Sequence, residues 1–177
     1  MSTRTTRLLC AAALAAPLAL VAAPADATHR PTYRPPQVAW VSDAKVSGDT
    51  ASVVAKYRCY GGNEGTHLWV SLKQGDEIAA RTDEELSQME GTSQLARAWY
   101  DTNVIDPTKV TLNCNGRWQV QRYTVGREKG QLYRGTAFMQ FCLFDSTADP
   151  TGEDLSYGFA YEYRTVKVRT RHHHGDH

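Results

Sequence analysis

The sequence predicts an all-β domain, an antiparallel sandwich of about seven strands. Three observations carry that expectation. Apolar residues recur with period two over most of the chain, clusters of Gly, Asn, Asp and Ser punctuate those runs at short spacing, and little of the chain has helical periodicity.

The first strand is expected from Val38 to Val46, closed by the turn cluster Ser47-Gly48-Asp49. Thr50 to Tyr60 follows, with Ala51, Val53, Ala55, Tyr57 and Cys59 sharing one face. After the Gly61–Gly65 turn, His67 to Gln74 places Leu68, Val70 and Leu72 on one face and His67, Trp69, Ser71 and Lys73 on the other. The stretch 82–90 breaks the pattern. Thr82 and Glu85 have the spacing of a capping box, so it reads as a short helix near 83–89 or as a polar loop. Gln94 to Thr102 is a further strand candidate. Residues 109–125 read as two strands joined at Asn115-Gly116, a strong short hairpin signal. Thr136 to Asp145 is a dense apolar strand, and Tyr157 to Arg169 closes the set.

The flanks differ in kind. Arg4 and Arg7 precede the apolar run Leu8 to Ala23, and Ala25-Asp26-Ala27 is a small-x-small cleavage pattern, the layout of a secretory signal peptide over residues 1–27. The run is short for a membrane span and interrupted by Pro17, so no stable membrane anchor is expected after cleavage. Residues 28–36 form a proline-rich lead-in, 37–170 the β domain and 171–177 a histidine-rich flexible tail. Loss of Arg4, Arg7 and Asp26 takes the chain from 20 basic and 19 acidic residues to a net charge of zero, which argues against nucleic acid as a partner. The expected location is extracellular, where thiols pair.

Cys59, Cys114 and Cys142 remain after cleavage. Loop closure alone constrains the unfolded chain by about 4.2, 4.6 and 3.6 kcal/mol for the pairs 59–114, 59–142 and 114–142, too narrow a spread to choose. Face assignment favours Cys59–Cys114, since both lie on the apolar sides of their strands, with 59–142 the alternative. Cys142 shares a face with Phe138 and Phe144 and reads as a small buried hydrophobe. Three cysteines without a paired C-x-x-C make a poor zinc site.

Cys59, Trp69 ten residues on, and a later cysteine resemble the Cys…Trp…Cys frame of immunoglobulin-like domains. The stretches YRCYGG, HLWVSLKQG, VTLNCNGRW and GTAFMQFCLFD are similar to those of small exported bacterial proteins of unassigned function. The resemblance covers residues 37–170 as architecture. It implies an immunoglobulin-like β-sandwich and an extracellular location, and it brings no catalytic residues.

Candidate chemistry is sparse. His67 is the one histidine of the folded part, and no Gly-x-Ser-x-Gly or His-Glu-x-x-His motif surrounds it. No cofactor is expected. The 145–154 loop carries four carboxylates without EF-hand spacing. His172, His173, His174 and His177 are candidate metal ligands in the tail. Trp69, with His67 and Lys73, is the candidate binding surface, since an aromatic on a polar strand face suits a protein or glycan unless the 76–103 segment covers it. The leading reading is a secreted, non-catalytic binding or spacer domain of unknown protein or glycan ligand. A secreted hydrolase and an extracellular metal-handling protein are the alternatives.

Overall fold

Alternation of inward and outward side chains defines a strand but not how the sheet ends. In the computed structural model, which describes residues 34–61, 66–106, 110–145 and 158–170, the sheet has almost no ends. The strands are β1 (Gln37–Val41), β2 (Ala44–Ser47), β3 (Thr50–Arg58), β4 (Thr66–Gln74), β5 (Ala98–Asp101), β6 (Gln119–Lys129), β7 (Gly135–Asp145) and β8 (Phe159–Thr170). Seven of them, β2-β8-β7-β4-β5-β6-β3, close on themselves as a mixed barrel, because β3 pairs with both β2 and β6. The immunoglobulin-like sandwich is therefore corrected to a barrel. The two architectures share the same period of two. Closure depends on a parallel pairing of Ala44, Lys45 and Val46 with Val168, Arg169 and Thr170, which no local pattern announces.

The expected strand 38–46 breaks at Ser42 and Asp43, where β1 gives way to β2 along the same edge of β3. The Ser42 hydroxyl accepts from the Val54 N–H at 2.9 Å, and Asp43 accepts from the Lys167 N–H at 3.2 Å, so side chains replace ladder bonds at the break. The barrel interior mixes small and large side chains. Ala44, Ala55, Ala98 and Ala137 lie beside Tyr57, Tyr100 and Phe141 in one buried cluster. Leu68, Val70 and Leu72 of β4 belong to that cluster or pack against it. At one end the Gln74 amide donates to the Tyr133 and Thr136 carbonyls at 3.0 and 2.9 Å and accepts from the Tyr133 N–H at 2.9 Å, fixing the loop that carries buried Leu132.

Two local expectations need correction. Residues 110–114 are not a strand. β6 gives one edge to β3 over Gln119–Gly126 and pairs with β5 only from Gly126 to Lys129; residues 110–114 do not extend that second ladder and bond to side chains instead. The Asn113 N–H donates to the Tyr57 hydroxyl at 3.0 Å, and the Thr111 carbonyl accepts from the Gln121 amide at 2.7 Å. Cys114 is nonetheless buried and bonded to Cys59, and the Gly116 N–H donates to the Cys59 carbonyl at 2.8 Å. The segment expected to be strand from Gln94 begins as helix α3 (Thr92–Leu95) and becomes β5 only at Ala98. Before it come α1 (Asp76–Ala79) and α2 (Asp83–Gln88). The capping box at the start of α2 is complete. The Thr82 hydroxyl accepts from the Glu85 N–H, and the Glu85 carboxylate accepts from the Thr82 N–H.

The leader expected at 1–27, most of the proline-rich 28–36 stretch, most of the acidic 145–154 loop and the tail at 171–177 lie outside the described residues.

Candidate functional site

Two long ladders, β4–β7 and β7–β8, build the site. Register across β4, β7 and β8 sets outward side chains in rows. His67, Phe144 and Phe159 form one row, and Trp69, Cys142 and Tyr161 the next. Ser71, Gln140 and Tyr163 make a third, and Lys73, Phe138 and Thr165 a fourth. Outward positions are thus unusually aromatic, whereas an outer barrel face is ordinarily polar.

Helices α1–α3 cover the last two rows. Ile78 and Leu86 are buried against Phe138, with Met89, Leu95 and Tyr163 packed around them, a second small core outside the barrel. The first two rows stay open. Tyr161 is 64% exposed and Phe159 40%, His67 is exposed, and Trp69, Phe144 and Cys142 are half-buried. The rings support one another. Phe144 and Phe159 have centroids 4.6 Å apart, His67 stacks on Phe144 at 6.3 Å, and Tyr161 lies 5.1 Å from Tyr163.

Of the three residues expected to form the binding surface, two remain on open ground. His67 and Trp69 share this face. Lys73 does not reach solvent, because the 75–97 segment packs over it and leaves it 4% exposed. Its ammonium donates to the Thr92 hydroxyl at 2.6 Å and to the Gln140 side-chain oxygen at 2.5 Å, and lies 5.4 and 6.0 Å from the Trp69 and Trp99 ring centres. Burial pushes its pKa down to about 8, against the attraction of Asp101. Trp69 is held from the other side, since its indole N–H lies 3.0 and 2.8 Å from the two carboxylate oxygens of fully buried Asp101. Lys73 thus lies beneath the face, buried and hydrogen-bonded to Thr92 and Gln140.

Phe144, Phe159 and Tyr161 were not expected here. The signal was present in the alternation F-A-Y-E-Y over 159–163, which puts three aromatics on one side of a strand.

A groove of about 430 Å³ opens beside His67, with Thr66, Leu68, Thr102, Asn103 and Thr111 among its lining residues. Among the described residues that line it there is that imidazole and no carboxylate or thiol. Burial pushes the Cys142 thiol up, opposed by a hydrogen bond with Tyr163; the net direction is wrong for a nucleophile. Among the described residues no group of three or more His, Cys, Asp or Glu gathers to hold a metal ion. His172, His173, His174 and His177 lie outside the described residues.

No protein-family model matches the sequence, and a search of curated proteins returns no match.

Proposed function

We propose that the chain is an exported, non-catalytic binding domain whose β4–β7–β8 face receives a protein or glycan surface. The observation that carries this reading is the pair of open aromatic rows, His67-Phe144-Phe159 and Trp69-Cys142-Tyr161, on a barrel wall whose rings are fixed by their neighbours. Rigid, partly exposed rings offer large contact area at low entropy cost, and their faces suit sugar rings or apolar side chains. Export rests on the leader of residues 1–27 and is supported by the Cys59–Cys114 disulfide, a bond at home in oxidising compartments.

The test uses the two most exposed rings. Purified protein and its Phe159→Ala/Tyr161→Ala variant are incubated with immobilised cell-envelope preparations, before and after enzymatic removal of protein or of polysaccharide. The reading expects retention of the parent, loss in the variant and an unchanged thermal midpoint. Equal retention of both proteins, or of neither, sinks it.

A further inference from the structure

The near-zero formal charge conceals segregation. The 75–97 cover carries Asp76, Glu77, Asp83, Glu84, Glu85 and Glu90 against two basic residues, Arg81 and Arg97, the latter paired with Asp76 at 2.8 Å. The barrel wall formed by β8, β2, β3 and β6 is its opposite. Two grooves of about 570 and 380 Å³ share Arg169 and Thr170 there. The first is lined by Arg134, Lys167 and Arg169, the second by Lys45, Arg122 and Arg169, and among the described residues no carboxylate lines either. Lys45 and Arg169 are partners in the parallel closure, which brings together cations 124 positions apart in the chain. Of these five, only Arg169 has an ion-pair partner among the described residues, Asp43 at 3.0 Å.

Further along β3 the charge continues beside aromatic rings. Arg58 and Lys56 lie 4.8 and 5.5 Å from the centre of the Trp118 ring, and Arg58 and Arg34 lie 5.5 and 5.9 Å from that of Tyr60. Trp40, paired across the ladder with Lys56, is 40% exposed and Trp118 42%.

We infer that this wall docks an acidic polysaccharide, a chain of sugar rings bearing carboxylates. The cations complement the carboxylates, and the two adjoining grooves suit an extended polymer better than one small anion. A nucleic-acid strand fits less well, because its bases need free ring faces and those of Trp118 and Tyr60 already carry cations. An acidic peptide fits less well too. Strand addition needs a free backbone edge, and β3, at the centre of this wall, is paired with β6 on one side and with β1 and β2 on the other. The surface is separate from the aromatic face and does not depend on it.

The experiment titrates purified protein with polygalacturonate, with neutral dextran, and with polygalacturonate in competition with single-stranded DNA or polyglutamate. Expected are binding of polygalacturonate that weakens steeply with added salt, and no binding of dextran. Lys45→Glu/Arg122→Glu/Lys167→Glu should lose affinity by at least about tenfold, at constant thermal midpoint, by the logic of lost counterion release. Lys45→Gln/Lys167→Gln, which removes charge without adding any, should lose less in the same direction. The inference is overturned by dextran binding equally, by full affinity in the charge-reversed variant, or by DNA or polyglutamate displacing the sugar polymer at lower concentration.

Discussion

The Lys73 ammonium donates to the Gln140 side-chain oxygen at 2.5 Å across the β4–β7 ladder, beneath a helical cover that leaves the lysine 4% exposed. A cation so placed has lost most of its hydration and retains two neutral acceptors and two ring faces.

The first prediction follows from its titration. The folded-state pKa of Lys73 is about 8, below its ordinary 10.5. Between those values the unfolded chain binds more protons than the folded one, so this group's contribution to stability rises with pH across that window. Below about 8 the cost is present in full, and its size is about 3 kcal/mol. Urea unfolding of the parent and of Lys73→Met at pH 7 and pH 10 should show their difference shifting in favour of the parent at the higher pH. A pH-independent difference would falsify the assignment.

Much of this was legible in the residues, and the limits have physical causes. Period two put Leu68, Val70 and Leu72 inward and Cys59 with Cys114 in the core, because burial of alternate side chains is a local property. The Thr82–Glu85 capping box was equally local. The closure of the barrel was not, since three parallel pairs between β2 and β8 decide it. That the 76–103 segment could cover the polar face of β4 was legible, but not that it would bury Lys73 while leaving His67 exposed, because a charged residue on a strand's polar face does not say where along the strand a helix will pack. The basic wall was hidden for the same reason. Lys45, Arg122, Arg134, Lys167 and Arg169 are scattered along the chain and gather only in register.

The second prediction concerns the disulfide. Cys59 and Cys114 are separated by 55 residues, and closing a loop of that length constrains the unfolded ensemble by about 4 kcal/mol. Cys59→Ala/Cys114→Ala should lose stability of that order in denaturant titrations. A loss under about 1 kcal/mol would mean that the hydrogen bonds around residues 113–116 already hold the segment without the crosslink.

Gly130 and Gly48 form a matched pair for the third prediction. Both have left-handed backbones, with φ of +54° and +59°. A Cβ at Gly130 would lie 2.2 Å from the Arg97 carbonyl oxygen, whereas one at Gly48 would meet nothing within 4 Å. Gly48→Ala should therefore cost about 1 kcal/mol, the conformational penalty alone. Gly130→Ala should cost at least about 2 kcal/mol more, because backbone rather than a flexible side chain obstructs it. Equal thermal midpoints for the two variants would contradict the close approach between β5 and the end of β6.

The last prediction separates the floor of the aromatic face from its surface. Trp69 is half-buried, and its indole N–H serves the carboxylate of Asp101, which is 0% exposed. Trp69→Ala removes that donor and opens a void beside Lys73. Among the described residues the Asn103 N–H, at 2.8 Å, is then left as the donor to Asp101. The expected loss is about 3 kcal/mol, from the cavity and the poorly satisfied carboxylate together. Tyr161→Ala, at 64% exposure, should change stability by no more than about 0.5 kcal/mol. Loss of binding in the Trp69 variant would therefore be ambiguous, and loss in the Tyr161 variant would not. Calorimetry on the two single variants decides it. Comparable destabilisation in both would mean that the open rows belong to the packed body of the domain and are not free to meet a partner.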